Sequence, residues 1–276
     1  MTEQLSHIEF YYPRHTEKIS SKQHLADLIV AEMKERKSLG YSGHASEDSL
    51  RESLINHLGE ANIAGYKPLT EAQEKQIEAI ITTTVERCNK TLPVPTKNFV
   101  FVFPYFPGGV DEVFGGVMGV APYSCVLHLF LDPTRWTEEV LENTVTHEIN
   151  HTIYYYHHYD SFGNYTVLDE MLIEGLAECF REQIIDPTPS PWASALARQQ
   201  AGEALAKMSE ETLVSTDKKL IKGVLFGNDD YERWTGYSLG YWLAKNFIEQ
   251  NKDLSWEEIM KTSSHMILES FNKKEV

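Results

Sequence analysis

The sequence has no run of about eighteen apolar residues, so no segment is built to cross a bilayer as a helix. Its opening, Met1-Thr2-Glu3-Gln4-Leu5, lacks the basic and apolar regions of an export signal, and the expected location is cytoplasmic. Cysteine is scarce: Cys88, Cys125 and Cys179 are widely spaced and form no CxxC pair, which argues against a thiolate metal site or a disulfide framework. These three are expected to be reduced, mostly buried thiols. Basic residues are few, with 25 Lys and Arg against 41 Asp and Glu, and the resulting formal charge of -16 repels phosphate backbones and anionic membranes. Neither nucleic acid nor a membrane is therefore an expected partner. The short basic clusters Lys34-Glu35-Arg36-Lys37 and Lys273-Lys274-Glu275 each carry an acid. Internal repeats, low-complexity tracts and Pro/Gly-rich linkers are also missing, so a domain boundary has to be read from a change of pattern.

What is present is enough apolar material for a core, 42% of 276 residues with 11% aromatic. From about residue 20 to 89 the period is helical, with Leu25, Leu28, Ile29 and Met33 on one face and Ile77, Ile80, Ile81 and Val85 on another. Three strand-like runs follow: Asn98 to Phe103 between Pro95 and Pro104, Val113 to Ala121, and Tyr123 to Leu131. They predict a small antiparallel sheet. After Asp132-Pro133 the pattern returns to helix, with Thr137 placed to cap it and Glu138 and Glu139 in its first turn. The expected class is α+β and mainly helical, with an N-terminal helical lobe over residues 1–92 and a second domain over 93–276.

That helix contains His147-Glu148-Ile149-Asn150-His151. Residues four apart on a helix lie about 40° apart around its axis, so both imidazoles project toward one point, as two ligands of a tetrahedral Zn2+ ion require. Glu148 lies about 100° round from His147, placed to take a proton from water without binding the metal. A second helix opens with the capping pattern Thr166-Val167-Leu168-Asp169 and continues Glu170-Met-Leu-Ile-Glu174-Gly-Leu-Ala-Glu178, with an acid every four residues on one face. Left unpaired, three such carboxylates repel one another, and a solvated stripe explains them less well than a metal site. Gly175 and Ala177 are small where another helix has to come close, and the helix bearing the histidines is the expected neighbour.

His-Glu-x-x-His followed by Glu-Gly-Leu-Ala resembles the gluzincin metallopeptidases. From Gly115-Gly116-Val117 through Leu129-Phe130-Leu131-Asp132-Pro133 and Trp136 to Glu178, the chain is similar to the YjaZ-like predicted Zn-dependent proteases, over roughly residues 98 to 250. The resemblance implies a zincin-like catalytic domain with Glu174 as third zinc ligand and Glu178 as hydrogen-bond partner of a ligand imidazole. It also implies a transition-state tyrosine in Trp234-Thr-Gly-Tyr237-Ser-Leu-Gly240-Tyr241, with Tyr237 the candidate and Tyr241 the reserve. Spacing pulls the other way on the third ligand: 22 residues separate His151 from Glu174, more than is common, and 18 separate it from Glu170. The loop His157 to Asn164 can absorb the difference at little entropic cost, and Glu174 keeps its register with Gly175. His157 and His158 are expected to be exposed in that loop.

The expected function is zinc-dependent hydrolysis of peptide bonds in a peptide or protein substrate, with water as nucleophile and Glu148 as general base. An extended substrate is expected to pair with a sheet edge, either Tyr123 to Leu131 or the Gly-rich Phe114 to Gly119. The alternatives are a non-catalytic zinc-binding module, against which Glu148 argues, and a zinc hydrolase of a small non-peptide substrate.

Overall fold

The computed structural model describes residues 7–13, 18–58, 68–95, 97–104 and 112–272. The chain divides into two compact units, 1–152 and 153–276. The first holds both the stretch expected as a helical lobe and the sheet.

The sheet of the first unit has four strands, β1 (His7–Tyr11), β2 (Lys97–Pro104), β3 (Val117–Tyr123) and β4 (Val126–Leu131), in the order β1-β2-β4-β3. It is mixed, which corrects the expected antiparallel sheet: β1 pairs with β2 in parallel, β2 with β4 in parallel, and β3 with β4 antiparallel. The physical reason is the connection. Ser124 and Cys125 alone join β3 to β4 as a tight turn, with Cys125 at φ +65. The helices between β1 and β2 permit those two to run parallel, and β3, reversed and lying between β2 and β4 in sequence, returns β4 parallel to β2. Because β4 is internal, every residue of Val-Leu-His-Leu-Phe-Leu is buried, and it has no edge to offer a peptide. Among the described residues the edge strands are β1 and β3, and β3 is the one that carries the end of the Gly-rich segment expected to meet a substrate.

Side chains alternate across these strands. Phe101, Phe103, Val126 and Phe130 point to one face, where α1 (Lys22–Glu35) and α2 (Glu47–His57) cover them in a single buried cluster with Leu25, Ile29, Leu50 and Leu54. Gly119 of β3 pairs with Leu129 of β4 and so belongs to the opposite face. Helix α3 (Glu71–Asn89) starts with a capping box at Thr70 and Gln73 and buries Ile77, Ile80, Ile81 and Val85. It braces the start of α4 (Glu138–His157), through Arg87 to Glu142 at 3.0 Å and Cys88 Sγ to Thr146 Oγ1 at 3.9 Å.

In the second unit α5 (Val167–Ile184) and α9 (Thr235–Gln250) form the main helix pair. A Cβ on Gly175 would collide with the backbone of Gly240, and one on Gly240 with the backbone of Met171. Gly175 thus serves contact with α9, a helix other than the one bearing the histidines, which corrects the expected neighbour. Helices α6 (Arg198–Leu205), α7 (Glu210–Leu213), α8 (Lys218–Phe226), α10 (Trp256–Met260) and α11 (Ser264–Asn272) complete the unit. The three cysteines are free, Cys88 and Cys179 buried and Cys125 partly so. Among the described residues no helix is long and apolar enough to cross a membrane.

His128 on β4 is buried against the edges of Phe101 and Phe103, its Nε2 2.9 Å from the Ser42 carbonyl oxygen. Burial, with His44 nearby, pushes its pKa down to about 3, and burial also lowers those of His44 and His57. Below about 6.5 the unfolded chain takes up protons at these positions while the native fold keeps His128 neutral. Stability therefore falls as pH drops from about 6.5 toward 3, with a slope of about 1.4 kcal/mol per pH unit for one such histidine. Urea unfolding between pH 7.5 and 5, with chelator present, should show this slope, and His128→Gln should flatten it. An unchanged slope in that variant would remove His128 as its source.

Candidate metal centre

Helix α4 opens with the Val140 amide donating to Thr137 Oγ1 at 3.3 Å and with Glu138 and Glu139 in its first turn, as the sequence implies. Leu141, Val145, Ile149, Ile153 and Tyr154 are buried along it, and so are the polar Thr146, Asn150 and Thr152. Thr146 donates to the Glu142 carbonyl at 2.8 Å and Thr152 to the Ile149 carbonyl at 2.9 Å, so these hydroxyls meet their hydrogen-bonding needs within the helix. A helix enclosed on several faces cannot roll.

His147 and His151 stand on successive turns, their rings perpendicular (89°) with centroids 4.6 Å apart. Glu148 and His151 are buried and His147 is partly so. Helix α5 carries Glu174, partly buried, and starts at a capping box in which Thr166 and Asp169 bond reciprocally. One ligand atom each from His147, His151 and Glu174 lie within 4.8 Å of one another. Glu170 is outside that group and faces Lys218 at 3.8 Å.

Two imidazoles and a carboxylate are a zinc donor set, and three protein ligands leave a fourth position open. Donors about 2.0–2.1 Å from a tetrahedral ion would stand roughly 3.3 Å from one another, a contraction within reach of small side-chain rotations. The residues therefore fit zinc.

Glu178, one turn beyond Glu174, is buried rather than a surface acid. Its Oε1 accepts from Arg181 Nη2 at 2.7 Å and from the Ser190 amide at 2.7 Å. Arg181 is buried too and also donates to the carbonyls of Asp186, at 3.1 Å, and Thr188, at 2.6 Å. Sequence reading missed this pair, although an acid and an arginine three apart on a helix are a visible signal.

Tyr237 lies in the first turn of α9, partly buried, its ring edge-on to Phe226 at 5.8 Å. Tyr241 is fully buried, its hydroxyl donating to Glu182 Oε1 at 2.8 Å with Lys245 close by. Burial, with that acceptor, pushes its pKa well up. His157 and His158 are only partly exposed, which corrects the expected loop pair. His157 ends α4, and His158 stacks on Tyr154 at 4.1 Å with Nε2 2.7 Å from the Met260 carbonyl oxygen.

Residues 77–269 match the family of predicted Zn-dependent proteases designated DUF2268. The chain belongs to that family. It is also similar to the uncharacterized protein YjfC of Bacillus subtilis (strain 168), 23% identical over an alignment of 207 positions that covers 68% of each chain. No solved structure matches significantly. The family description implies zinc dependence, in keeping with the donor set.

Removing one member of a buried ion pair leaves the other charge uncompensated, at a typical cost of about 3–5 kcal/mol. Arg181→Met keeps the volume and should lower the urea-unfolding free energy by about that amount. A loss below about 1 kcal/mol would mean that Glu178 is satisfied without Arg181.

Proposed function

We propose that the chain is a zincin-like, zinc-dependent peptidase in which His147, His151 and Glu174 hold the metal and Glu148 is the general base. The observation that carries this reading is the convergence of those three donors with Glu148 next to one of them on α4. When bound, zinc supplies a Lewis acid for the scissile carbonyl and brings the pKa of water down to about 7. Glu148 accepts the proton of the attacking water and delivers it to the leaving amine, so that no acyl-enzyme forms. Tyr237 is the candidate donor to the developing oxyanion, and its place in the first turn of a well-anchored helix suits a group held in one direction. A base is superfluous in a purely structural metal site, which favours catalysis over a binding module. The open edge of β3 favours an extended peptide over a small molecule, because backbone hydrogen bonds there would hold a strand-like substrate.

Elemental analysis should find about one zinc per chain, and apo protein that takes up none would overturn the reading. In metal titrations at one pH, Glu174→Ala should lose affinity most severely and Glu170→Ala little. Glu178→Ala should fall between, by about 10- to 100-fold. Zinc lost in the Glu170 variant and kept in the Glu174 variant would reverse the ligand assignment.

A peptide library tested beside small amides and esters separates the two substrate classes, and cleavage of peptides is the expected result. Glu148→Gln should retain zinc and fold and lose about 100-fold or more in turnover, since the amide preserves shape and cannot accept the proton. Wild-type turnover in that variant would show that Glu148 is not the base.

A further inference from the structure

Gly119 lies on β3, on the sheet face opposite the α1–α2 core, and pairs with Leu129. Its φ is not in the left-handed region, so nothing in the backbone conformation calls for glycine. In a strand interior, glycine costs conformational entropy and gives up side-chain packing. The reason for it is steric. A Cβ here would overlap Glu148 Cγ and stand 2.8 Å from both Cδ and Oε1 of the same residue, and the three nearest atoms all belong to that side chain. Glu148 is buried against a patch of bare strand backbone.

We infer that Gly119 is a positioning residue for Glu148: the missing side chain is the space that the Glu148 carboxylate occupies. This inference rests on the role proposed above for Glu148. The three nearest atoms that an added methyl would displace, Cγ, Cδ and Oε1, belong to one side chain and none is backbone, so the relief open to the fold is to turn Glu148 aside from its Cβ outward. The damage then falls on the general base. None of the three atoms nearest that methyl belongs to His147, His151 or Glu174, which separates the substitution from a direct loss of metal ligands. A displacement near 1 Å of a reacting group costs on the order of 100-fold in rate.

Gly119→Ala is the test, with three readouts. Crystal structures of the zinc-loaded wild type and variant should show Glu148 Cδ moved by about 1 Å or more with the His147 and His151 rings in place. An unmoved Glu148 beside a displaced β3 would overturn the inference. On the peptide best cleaved by the wild type, kcat should fall about 10- to 100-fold with KM and zinc content little changed, as for a group that acts only in the transition state. A fall in zinc content that accounts for the lost rate would overturn it as well. The third readout is thermal unfolding in two backgrounds. Gly119→Ala should lower the Tm of the wild type and leave that of Glu148→Ala unchanged, because the colliding atoms are then absent. Equal losses in both backgrounds would place the clash elsewhere, and this comparison stands even if the single variant folds poorly. Full activity in Glu148→Gln would defeat the proposed function and leave the structural and thermal readouts to decide the contact.

Discussion

Two histidines one turn apart define a point in space only if their helix is prevented from turning about its own axis. A rotation of even 20° would swing both imidazoles together and keep them a pair while sending them to the wrong place. In α4 that freedom is removed by burial on several faces: Leu141 and Val145, Ile149 and Asn150, Thr152 and Ile153 are all at or near zero exposure. Polar residues take part because their hydroxyls bond back to the carbonyls of the preceding turn, which lets Thr146 and Thr152 be buried at little cost. The Arg87–Glu142 pair and the Cys88–Thr146 contact tie the same helix to α3. The direction of His147 and His151 is thus a consequence of packing by residues that touch no metal.

Much of this was legible because it is local. The His-Glu-x-x-His spacing fixes its geometry through the helical pitch, and the Thr166–Asp169 capping box announces the start of α5 in four consecutive residues. The apolar runs of β2 and β4 were visible as strands. Their pairing was not, since a strand buried on both faces reads as a continuous apolar run and carries no mark of its partner's direction. β1 escaped notice for a related reason: its five residues pair with β2 some ninety residues away, and His-Ile-Glu-Phe-Tyr is too short to register alone.

The site divides along the same line. Glu174 was singled out by its Gly-Leu-Ala context, and it is the acid of that helix grouped with the two histidines. The mate of Gly175 was not readable, because small residues advertise a close approach without naming what approaches. Nor was the setting of His158, whose ring lies on Tyr154 and meets a carbonyl about a hundred residues later. Contacts between distant parts of the chain leave only a residue type behind in the sequence, and one residue type fits many partners.

Helix α5 shows how one distant contact constrains a direction. Gly175 follows Glu174 by about 100° around the axis, and Glu178 lies about 40° from it on the next turn. Backbone contact between Gly175 and Gly240 fixes how far the helix can roll, because any roll drives main chain into main chain. The Glu178–Arg181 pair, with Arg181 also donating to the carbonyls of Asp186 and Thr188, folds the segment after α5 back onto the end of the helix, and breaking it would strand a buried charge. With roll opposed, the direction of Glu174 follows from how α5 packs on α9. On the ligand role proposed for Glu174, a carboxylate whose helix is already held leaves little ordering to offset the free energy of binding.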